Sequence, residues 1–189
     1  MFTGIIKAVS PVKKAEKKGG SLLLTIAKPA GWRLRAGDSL ATDGVCLTVA
    51  ALRPNAYISE LMPETLRLTS FGRRTPTAVN LERPLKLSDR VEGHFVLGHV
   101  DATGLIRGVK RQGRSYVYEI SYPRRFNKLV VAKGSIAVDG ISLTVVSAAP
   151  DRFRVALVSH TLSHTTLGQK PVGAPVNLEF DIIAKHLYA

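Results

Sequence analysis

A thirteen-residue stretch occurs twice in this 189-residue chain, as GDSLATDGVCLTV at residues 37–49 and as KGSIAVDGISLTV at residues 133–145. Other segments recur in the same order: TLRLTSFG at 65–72 against TLSHTTLG at 161–168, VNLE at 79–82 against 176–179 and, more weakly, TGII at 3–6 against TGLI at 103–106. The stronger pairs lie 96 or 97 residues apart. A fixed spacing indicates internal duplication, so the chain is interpreted as two tandem copies that join near residues 86–98.

Each copy has the pattern of β structure. Apolar and polar residues alternate, or short apolar runs occur, at residues 21–26, 115–120 and 153–158. The dipeptides at 43–44 and 139–140 are both Asp-Gly, a strong hairpin signal. Short strands at regular spacing predict an all-β fold, with a small closed barrel or a sandwich in each half. Short helical pieces are predicted at 63–66, 123–129 and 182–187.

Composition indicates a globular chain without covalent cross-links. The hydrophobic fraction is 45% and the charged fraction 22%, which are ordinary values. The single cysteine, Cys46, excludes an internal disulfide framework and a cysteine-based zinc site. No apolar run is long enough to cross a bilayer, and the first residues lack the basic-then-apolar order of a signal peptide. We therefore expect a cytoplasmic protein with no membrane partner.

The net charge of +13 is the one unusual bulk property, and it suggests a polyanionic partner. The basic residues, however, are spread over the chain in short pairs such as Lys13-Lys14 and Arg73-Arg74. Aromatic residues, which would provide stacking platforms for bases, make up only 6% of the chain. A generally basic surface is therefore expected, and nucleic-acid binding is not expected as the main function.

Cys46, Ser142 and Thr144 are candidate reactive groups in the duplicated stretch. Cys46 follows a predicted turn and alternates with Leu47 and Val49. This pattern is most typical of a small buried side chain. Ser142 and Thr144 are two residues apart, so on a strand they share one face. The pattern leaves open whether they are surface hydroxyls or part of a polar pocket.

The histidines show spacings that occur in metal sites, namely His94-x4-His99 and His160-x3-His164. No HExxH motif is present and no carboxylate stands as a clear third ligand, so we expect no metal. His99 follows Gly98, where the backbone can approach another group closely, and a ligand-facing and a core imidazole remain equally open. The sequence also contains no GxSxG, P-loop or GxGxxG motif. Residue patterns alone thus indicate a duplicated β fold but no reaction.

At these same segments the sequence resembles the riboflavin synthases, the lumazine-binding-barrel family. The resemblance rests on MFTGII at 1–6, DGVCLTV at 43–49, GHFVLGHVD at 93–101 and DGISLTV at 139–145. It extends over essentially the whole chain in one order. It implies two tandem antiparallel Greek-key barrels of six strands with short helices, as lumazine-binding barrels at 1–97 and 98–180 and a short C-terminal helix stub at 181–189.

The resemblance also implies a reaction, the last step of riboflavin biosynthesis. Two molecules of 6,7-dimethyl-8-ribityllumazine dismutate when one transfers a four-carbon unit to the other, which gives riboflavin and 5-amino-6-(ribitylamino)pyrimidinedione. The ring is electron-poor and its C7 methyl group is acidic, so no cofactor or metal is implied. Holding two rings face to face would supply much of the rate enhancement, and a few positioned polar groups would serve the proton transfers.

By motif position, the polar groups expected to serve catalysis are His99, Ser142, Thr144, Cys46, Ser39 and Asp139. Ser142 or Thr144 is expected to polarise the ring that loses a methyl proton, and Cys46, or a water it positions, to add to the other ring. Ligand contacts expected in the first barrel are Gly4, Ile5, Ile6, Cys46, Leu47, Thr48, Glu60, Leu61, Met62, Pro63, Glu64 and Thr65. Those expected in the second barrel are Gly98, His99, Val100, Lys133, Ser142, Leu143, Thr144, Val158, Ser159, His160, Thr161, Leu162 and Ser163.

The resemblance finally implies a homotrimer, in which the first barrel of one subunit faces the second barrel of another. Family members usually continue into a longer C-terminal helix that joins the trimer, and the short stub here weakens this expectation. Glu92 and Ser159 stand where the family usually has glycine and proline. Two rival functions are a non-catalytic lumazine-binding protein and a nucleic-acid-binding barrel. The polar residues retained in both copies favour the synthase.

Overall fold

In a computed structural model, which describes residues 1–188, the chain forms two closed barrels of six antiparallel strands. The strands of the first barrel are β1 (Ala8–Lys18), β2 (Ser21–Ala27), β3 (Ser39–Thr42), β4 (Val45–Arg53), β5 (Ala56–Leu61) and β6 (Ala78–Glu82). Those of the second are β7 (Ala102–Gln112), β8 (Ser115–Ser121), β9 (Ser135–Val138), β10 (Ile141–Ala149), β11 (Arg152–Val158) and β12 (Pro175–Phe180). Both barrels have the spatial order one-two-five-four-three-six, which confirms the predicted tandem Greek-key barrels.

Only short helices connect the strands. The α-helices are α1 (Pro63–Leu68), α2 (Ser159–His164) and α3 (Ile182–Leu187), and 3-10 turns occur at Ser70–Gly72, Arg124–Leu129 and Thr166–Gln169. In the described part of the chain, no helix is long and apolar enough to span a membrane. The predicted C-terminal stub contains α3 and ends at Ala189, which lies outside the described residues. The predicted domain boundary at residue 97 falls between β6 and β7 and stays a prediction.

Strand alternation separates the inside of each barrel from the outside. Along β4, Val45, Leu47 and Val49 point into the first core, so Cys46 and Thr48 point outward. Burying a large apolar side chain contributes roughly 1.5–3 kcal/mol, so this alternation fixes which face of β4 is available to a ligand. Each barrel has its own core, and a third small cluster of Phe2, Ala41, Val96 and Ala137 packs against Cys46.

The two barrels pack as pseudo-twofold copies through their β3–β4 and β9–β10 hairpins. Asp43 and Asp139 both adopt positive φ, as does the glycine that follows each, which is the predicted Asp-Gly turn. A Cβ atom on Gly44 would lie 2.6 Å from the backbone nitrogen of Gly140. The hairpin tips therefore touch, and only glycine allows this approach.

Candidate functional site

The outer face of the β3–β4 hairpin forms a polar surface that we call the first wall, made of Ser39, Cys46 and Thr48. Ser39 pairs with Thr48 across the two strands, so their side chains share this face. Cys46 is half-buried and Thr48 is exposed. The first wall therefore presents one thiol and two hydroxyls, which can hydrogen-bond to the rim of a flat heterocycle.

Residues 98–100 lie against the first wall, although they precede the second barrel in sequence. The backbone nitrogen of Cys46 donates to the carbonyl oxygen of Gly98 at 2.9 Å. Gly98 has φ +80°, and a Cβ atom there would lie 2.6 Å from the Cβ atom of Cys46. Val100 packs on the first core. This arrangement places the exposed side chain of His99 next to the first wall.

The second wall is the pseudo-twofold equivalent, made of Ser135, Ser142 and Thr144. Thr144 pairs with Ser135 as Thr48 does with Ser39. Sequence reasoning included Ser39 but missed Ser135, although the repeat aligns the two.

Residues 4–6 lie against the second wall. The backbone nitrogen of Ser142 donates to the carbonyl oxygen of Gly4 at 2.8 Å. Gly4 has φ +76°, and a Cβ atom there would lie 2.7 Å from that of Ser142. Ile6 packs on the second core. The sequence assigned residues 4–6 to the first barrel and 98–100 to the second, and the structure exchanges them because each segment crosses the interface before its own barrel begins.

Two buried glutamates hold the crossing segments in place. Glu82 accepts hydrogen bonds from the backbone nitrogen and hydroxyl of Thr3, both at 2.7 Å, and from the backbone nitrogen of Gly4 at 2.9 Å. Glu179 accepts hydrogen bonds from the backbone nitrogens of residues 97–99 at 2.6, 2.9 and 3.1 Å. Burial raises the pKa of both carboxyl groups, and these donors oppose the rise.

Sequence reasoning did not identify Glu82 or Glu179 as functional, although the repeated VNLE segment contained them. A carboxylate that recurs in a strand otherwise made of core residues is costly to bury without donors. That repetition was the signal for a structural role next to the site.

His94 is a further group that the sequence prediction missed. Its Nδ1 lies 2.7 Å from the Ser142 hydroxyl oxygen, and its backbone nitrogen donates to the Thr3 carbonyl at 3.2 Å. Burial lowers the pKa of His94, while the charge of Asp181 opposes this effect. A neutral imidazole protonated on its other nitrogen can accept the hydroxyl proton of Ser142 at Nδ1.

The remaining predicted contacts lie at the edges of the walls or inside the cores. Pairing of Val49 with Ser59 brings the exposed Glu60 alongside Thr48, and the exposed Met62 follows before α1. The predicted contacts on the α1 side are Pro63, Glu64 and Thr65, and those on the α2 side are Val158, Ser159, His160, Thr161, Leu162 and Ser163. Lys133 is exposed and has φ 69°. The side chains of Leu47, Leu61 and Leu143 are buried, so only their backbone atoms can face a ligand.

Asp139 lies away from the second wall. Its side chain is fully buried between the barrels, where Oδ1 accepts a hydrogen bond from the backbone nitrogen of Asn177 at 2.8 Å and Oδ2 from Lys170 at 2.6 Å. These contacts are structural, and the catalytic role expected for Asp139 stays a prediction.

Two asparagines connect the barrels across the same interface. The Asn80 amide nitrogen donates to the carbonyl of Asp139 at 3.0 Å, and that of Asn177 to the carbonyl of Asp43 at 2.8 Å. The amide oxygens accept backbone hydrogen bonds from Thr166 and Ser70, respectively. The interface therefore contains a symmetric network in which asparagine side chains bond to backbone groups of both barrels.

The charges at this interface are not symmetric. Lys170 pairs with Asp139 but not with Asp43, whose carboxylate accepts the backbone nitrogen of Asn80 at 2.7 Å. Burial raises the pKa of Asp43 to about 7, against the opposing charge of Lys170. Burial alone would lower the pKa of Lys170, but the charges of Asp139 and Asp43 outweigh burial and raise it. A cavity of about 160 Å³ opens beside Asp43.

The residues with metal-like spacing do not form a metal site among residues 1–188, where no group of three or more His, Cys, Asp or Glu side chains is placed to bind an ion. His160 and His164 stack on α2 with ring centroids 4.1 Å apart. His94 and His99 instead belong to different walls.

Comparison with known proteins gives one consistent result. The lumazine binding domain family matches residues 3–84 and 97–181. The riboflavin synthase of Actinobacillus pleuropneumoniae is 40% identical over 189 residues, which cover 99% of this chain and 88% of that protein. The riboflavin synthase of Mycobacterium tuberculosis (strain ATCC 25618 / H37Rv) is 42% identical over 197 residues, with 99% and 96% coverage.

Solved structures of similar fold include LumP complexed with riboflavin, with a TM-score of 0.88 at 18% identity over 95% of this chain and 99% of LumP. LumP complexed with 6,7-dimethyl-8-(1'-D-ribityl) lumazine superimposes with a TM-score of 0.86 at 18% identity and the same coverage. At this level of identity the likeness establishes the tandem barrel fold.

Proposed function

This chain belongs to the riboflavin synthase family, and on that basis we propose that the enzyme holds its two substrate molecules on the first and second walls. The reaction is a dismutation that moves a four-carbon unit from one 6,7-dimethyl-8-ribityllumazine to another. Riboflavin and 5-amino-6-(ribitylamino)pyrimidinedione together contain every atom of the two substrates, so no oxidant or reductant is required. The observation that supports the site is the duplicated wall, because two like surfaces suit two identical substrates.

The active site is completed by a second copy of the chain, in a homotrimer. Thr48 on the first wall and Thr144 on the second are exposed, as are Glu60 and His99 near the first wall and Val158 at the end of β11. An exposed wall covers one face of a ring, and face-to-face stacking of two rings then requires a wall from another subunit. A cytoplasmic location fits the half-buried free thiol of Cys46.

Ser142 and His94 form the polar pair that acts on the ring bound to the second wall. The neutral His94 imidazole takes the Ser142 proton as the hydroxyl oxygen adds to the electron-poor ring, or it receives the acidic methyl proton through the hydroxyl. Cys46 and Thr48 serve the other ring, with His99 beside them. In the first case a C–O bond forms, the ring takes the negative charge and His94 the positive charge. In the second case the methyl proton ends on His94 and the ring becomes the carbanion, so the total charge is unchanged in both.

Turnover of the lumazine without added metal or cofactor tests this function. Riboflavin absorbance should rise, and the rate per subunit should fall steeply on dilution if the site spans subunits. Ser142→Ala should lower kcat about 100-fold, as expected for loss of one acid–base group. Ser147→Ala, on the exposed face of the same strand, should leave kcat unchanged. Tight lumazine binding by the wild-type chain without product would contradict the enzyme and leave a lumazine-binding protein.

A further inference from the structure

A groove of about 620 Å³ lies beside the first wall and is rich in basic residues. We call it the basic groove. It shares Ser39 with the first wall and is otherwise lined chiefly by Lys7, Trp32, Arg33, Arg83 and Lys86. The basic groove is therefore continuous with the surface that holds a substrate ring.

The equivalent place in the second barrel is filled by aromatic side chains rather than open. Trp32 donates its backbone nitrogen to the carbonyl of Pro29, as Phe126 does to Pro123, so Trp32 and Phe126 are equivalent. In the second barrel the ring of Phe180 packs against that of Phe126, with centroids 4.8 Å apart and the planes tilted by 37°. In the first barrel the guanidinium of Arg83, which follows Glu82 as Phe180 follows Glu179, lies 5.0 Å from the Trp32 ring.

A second pair of equivalent residues also differs between the barrels, with a cation, Lys7, in the first and a carboxylate, Asp101, in the second. Lys7 donates its backbone nitrogen to Leu81, as Asp101 does to Leu178. Asp101 is covered by α3, whose Lys185 reaches its carboxylate at 2.8 Å. Lys7 instead approaches Glu92 at 3.9 Å, and both side chains are more than half exposed. Thus the position is covered and paired in the second barrel but open and basic in the first.

The carboxylates near the basic groove do not cancel its charge. Asp38 accepts the backbone nitrogen of Arg35 at 2.7 Å, and Asp89 accepts that of Lys86 at 2.9 Å. These contacts fix both carboxylates in turns. Four cationic side chains against two carboxylates leave a net charge of +2 on the lining. Glu92, which approaches Lys7 from outside the lining, reduces the local charge to +1. A concave basic lining with two Arg and two Lys side chains favours a compact dianion.

We propose that the basic groove binds a phosphomonoester, and that a flavin or lumazine phosphorylated on its ribityl chain occupies the first wall and the basic groove together. The placement of the ring rests on the proposed function, whereas the anion site rests on the groove alone. Ser39 lies between the two and can donate to the chain or to the phosphate. The unphosphorylated substrate would use the first wall only.

Flavin fluorescence titrations with riboflavin and with flavin mononucleotide test the combined site. At low salt, the mononucleotide should bind about tenfold more tightly, the gain typical of one charge-assisted hydrogen bond, and salt should reduce this preference. In R83Q/K86Q the two ligands should bind equally while riboflavin affinity stays unchanged. K110Q/R111Q, which removes the same charge from exposed positions on β7, should keep the preference.

Inorganic phosphate tests the anion site by itself. Trp32 is the only tryptophan in the chain, so displacement of Arg83 by phosphate should change the intrinsic fluorescence, and R83Q/K86Q should abolish the change. Equal binding of riboflavin and its phosphate to the wild-type chain, or a preference that survives R83Q/K86Q, would overturn the proposal. An equal loss in K110Q/R111Q would do the same. If riboflavin fails to bind at all, the proposed function fails, and the phosphate response of Trp32 alone decides the groove.

Discussion

Replacement of Asp43 by Asn is expected to stabilise the folded chain at neutral and alkaline pH. Asp43 is buried between the barrels, and burial raises its pKa to about 7. Asn keeps the side-chain oxygen that accepts the backbone nitrogen of Asn80, and the cavity beside residue 43 has room for a water that the new amide nitrogen can contact. The variant therefore removes the cost of ionisation while it keeps the hydrogen bond.

The size of the effect follows from the difference between the ordinary pKa of an aspartate, 3.8, and the pKa of Asp43 in the folded chain, about 7. At pH values between these two pKa values, the folded chain holds a proton that the unfolded chain has lost. The free energy of unfolding contributed by this proton therefore falls as the pH rises. The loss is about 1.4 kcal/mol per pH unit, or roughly 4 kcal/mol in total. This loss of stability is absent below the ordinary pKa of aspartate and complete above the pKa of Asp43 in the folded chain. D43N should show none of it.

Urea unfolding of both proteins at pH values from about 5 to about 9 measures this difference. The advantage of D43N should grow up to about pH 7 and then stay constant. D139N is the matched control, because Lys170, whose side chain is 17% exposed, would lose its partner. That variant should lose about 3 kcal/mol. A pH-independent difference for D43N, or similar losses in both variants, would refute the asymmetry.

Three further outcomes are expected. Glu179→Gln weakens the anchoring of residues 97–99 and should lower kcat/KM about tenfold, whereas Glu16→Gln on an exposed strand end should not. Gly98→Ala should lower stability by about 3 kcal/mol because of its close approach to the first wall. Gly31→Ala, also at positive φ but with open space around it, should cost only about 1 kcal/mol. Thermal melting of the two variants compares their stabilities. His94→Gln should lower kcat about 100-fold and remove an acid limb that lies below the ordinary histidine pKa in the pH profile, because burial lowers the pKa of His94.

The barrels and the exposed groups of β4 could be predicted from local sequence. The Asp-Gly turns at 43–44 and 139–140 require positive φ, and the strand alternation around them determines which side chains enter the core. Both are short-range properties, so the duplicated stretch predicts the hairpin. The residue pattern alone favoured a buried Cys46 and left Ser142 open, and only the family resemblance placed both at the site. The same periodicity does not tell which segment covers that face.

The crossing segments could not be predicted because their position depends on packing between the barrels. The sequence aligned residues 3–6 with 103–106 on a shared TGxI pattern. In the structure Gly4 matches Gly98, since each contacts the equivalent residue of the other barrel, while residues 103–106 lie inside β7. Asp139 shows the same limit: it lies only three residues from Ser142 along the hairpin, yet its side chain turns away from the second wall toward Asn177 and Lys170 of its own barrel.

The differences between the two copies bear on how one duplicated fold could act differently on two identical molecules. The elements that hold the walls are the same in both halves, namely the Asp-Gly turns, the asparagine ties and the glutamates that anchor the crossing segments. The groups at equivalent positions of the two proposed substrate surfaces differ, with Cys46 against Ser142 and Gly37 against Lys133. A dismutation needs one lumazine to give the four-carbon unit and the other to receive it. Identical walls would favour neither direction, so on the proposed site the unlike polar groups on a common scaffold would be the groups that distinguish donor from acceptor.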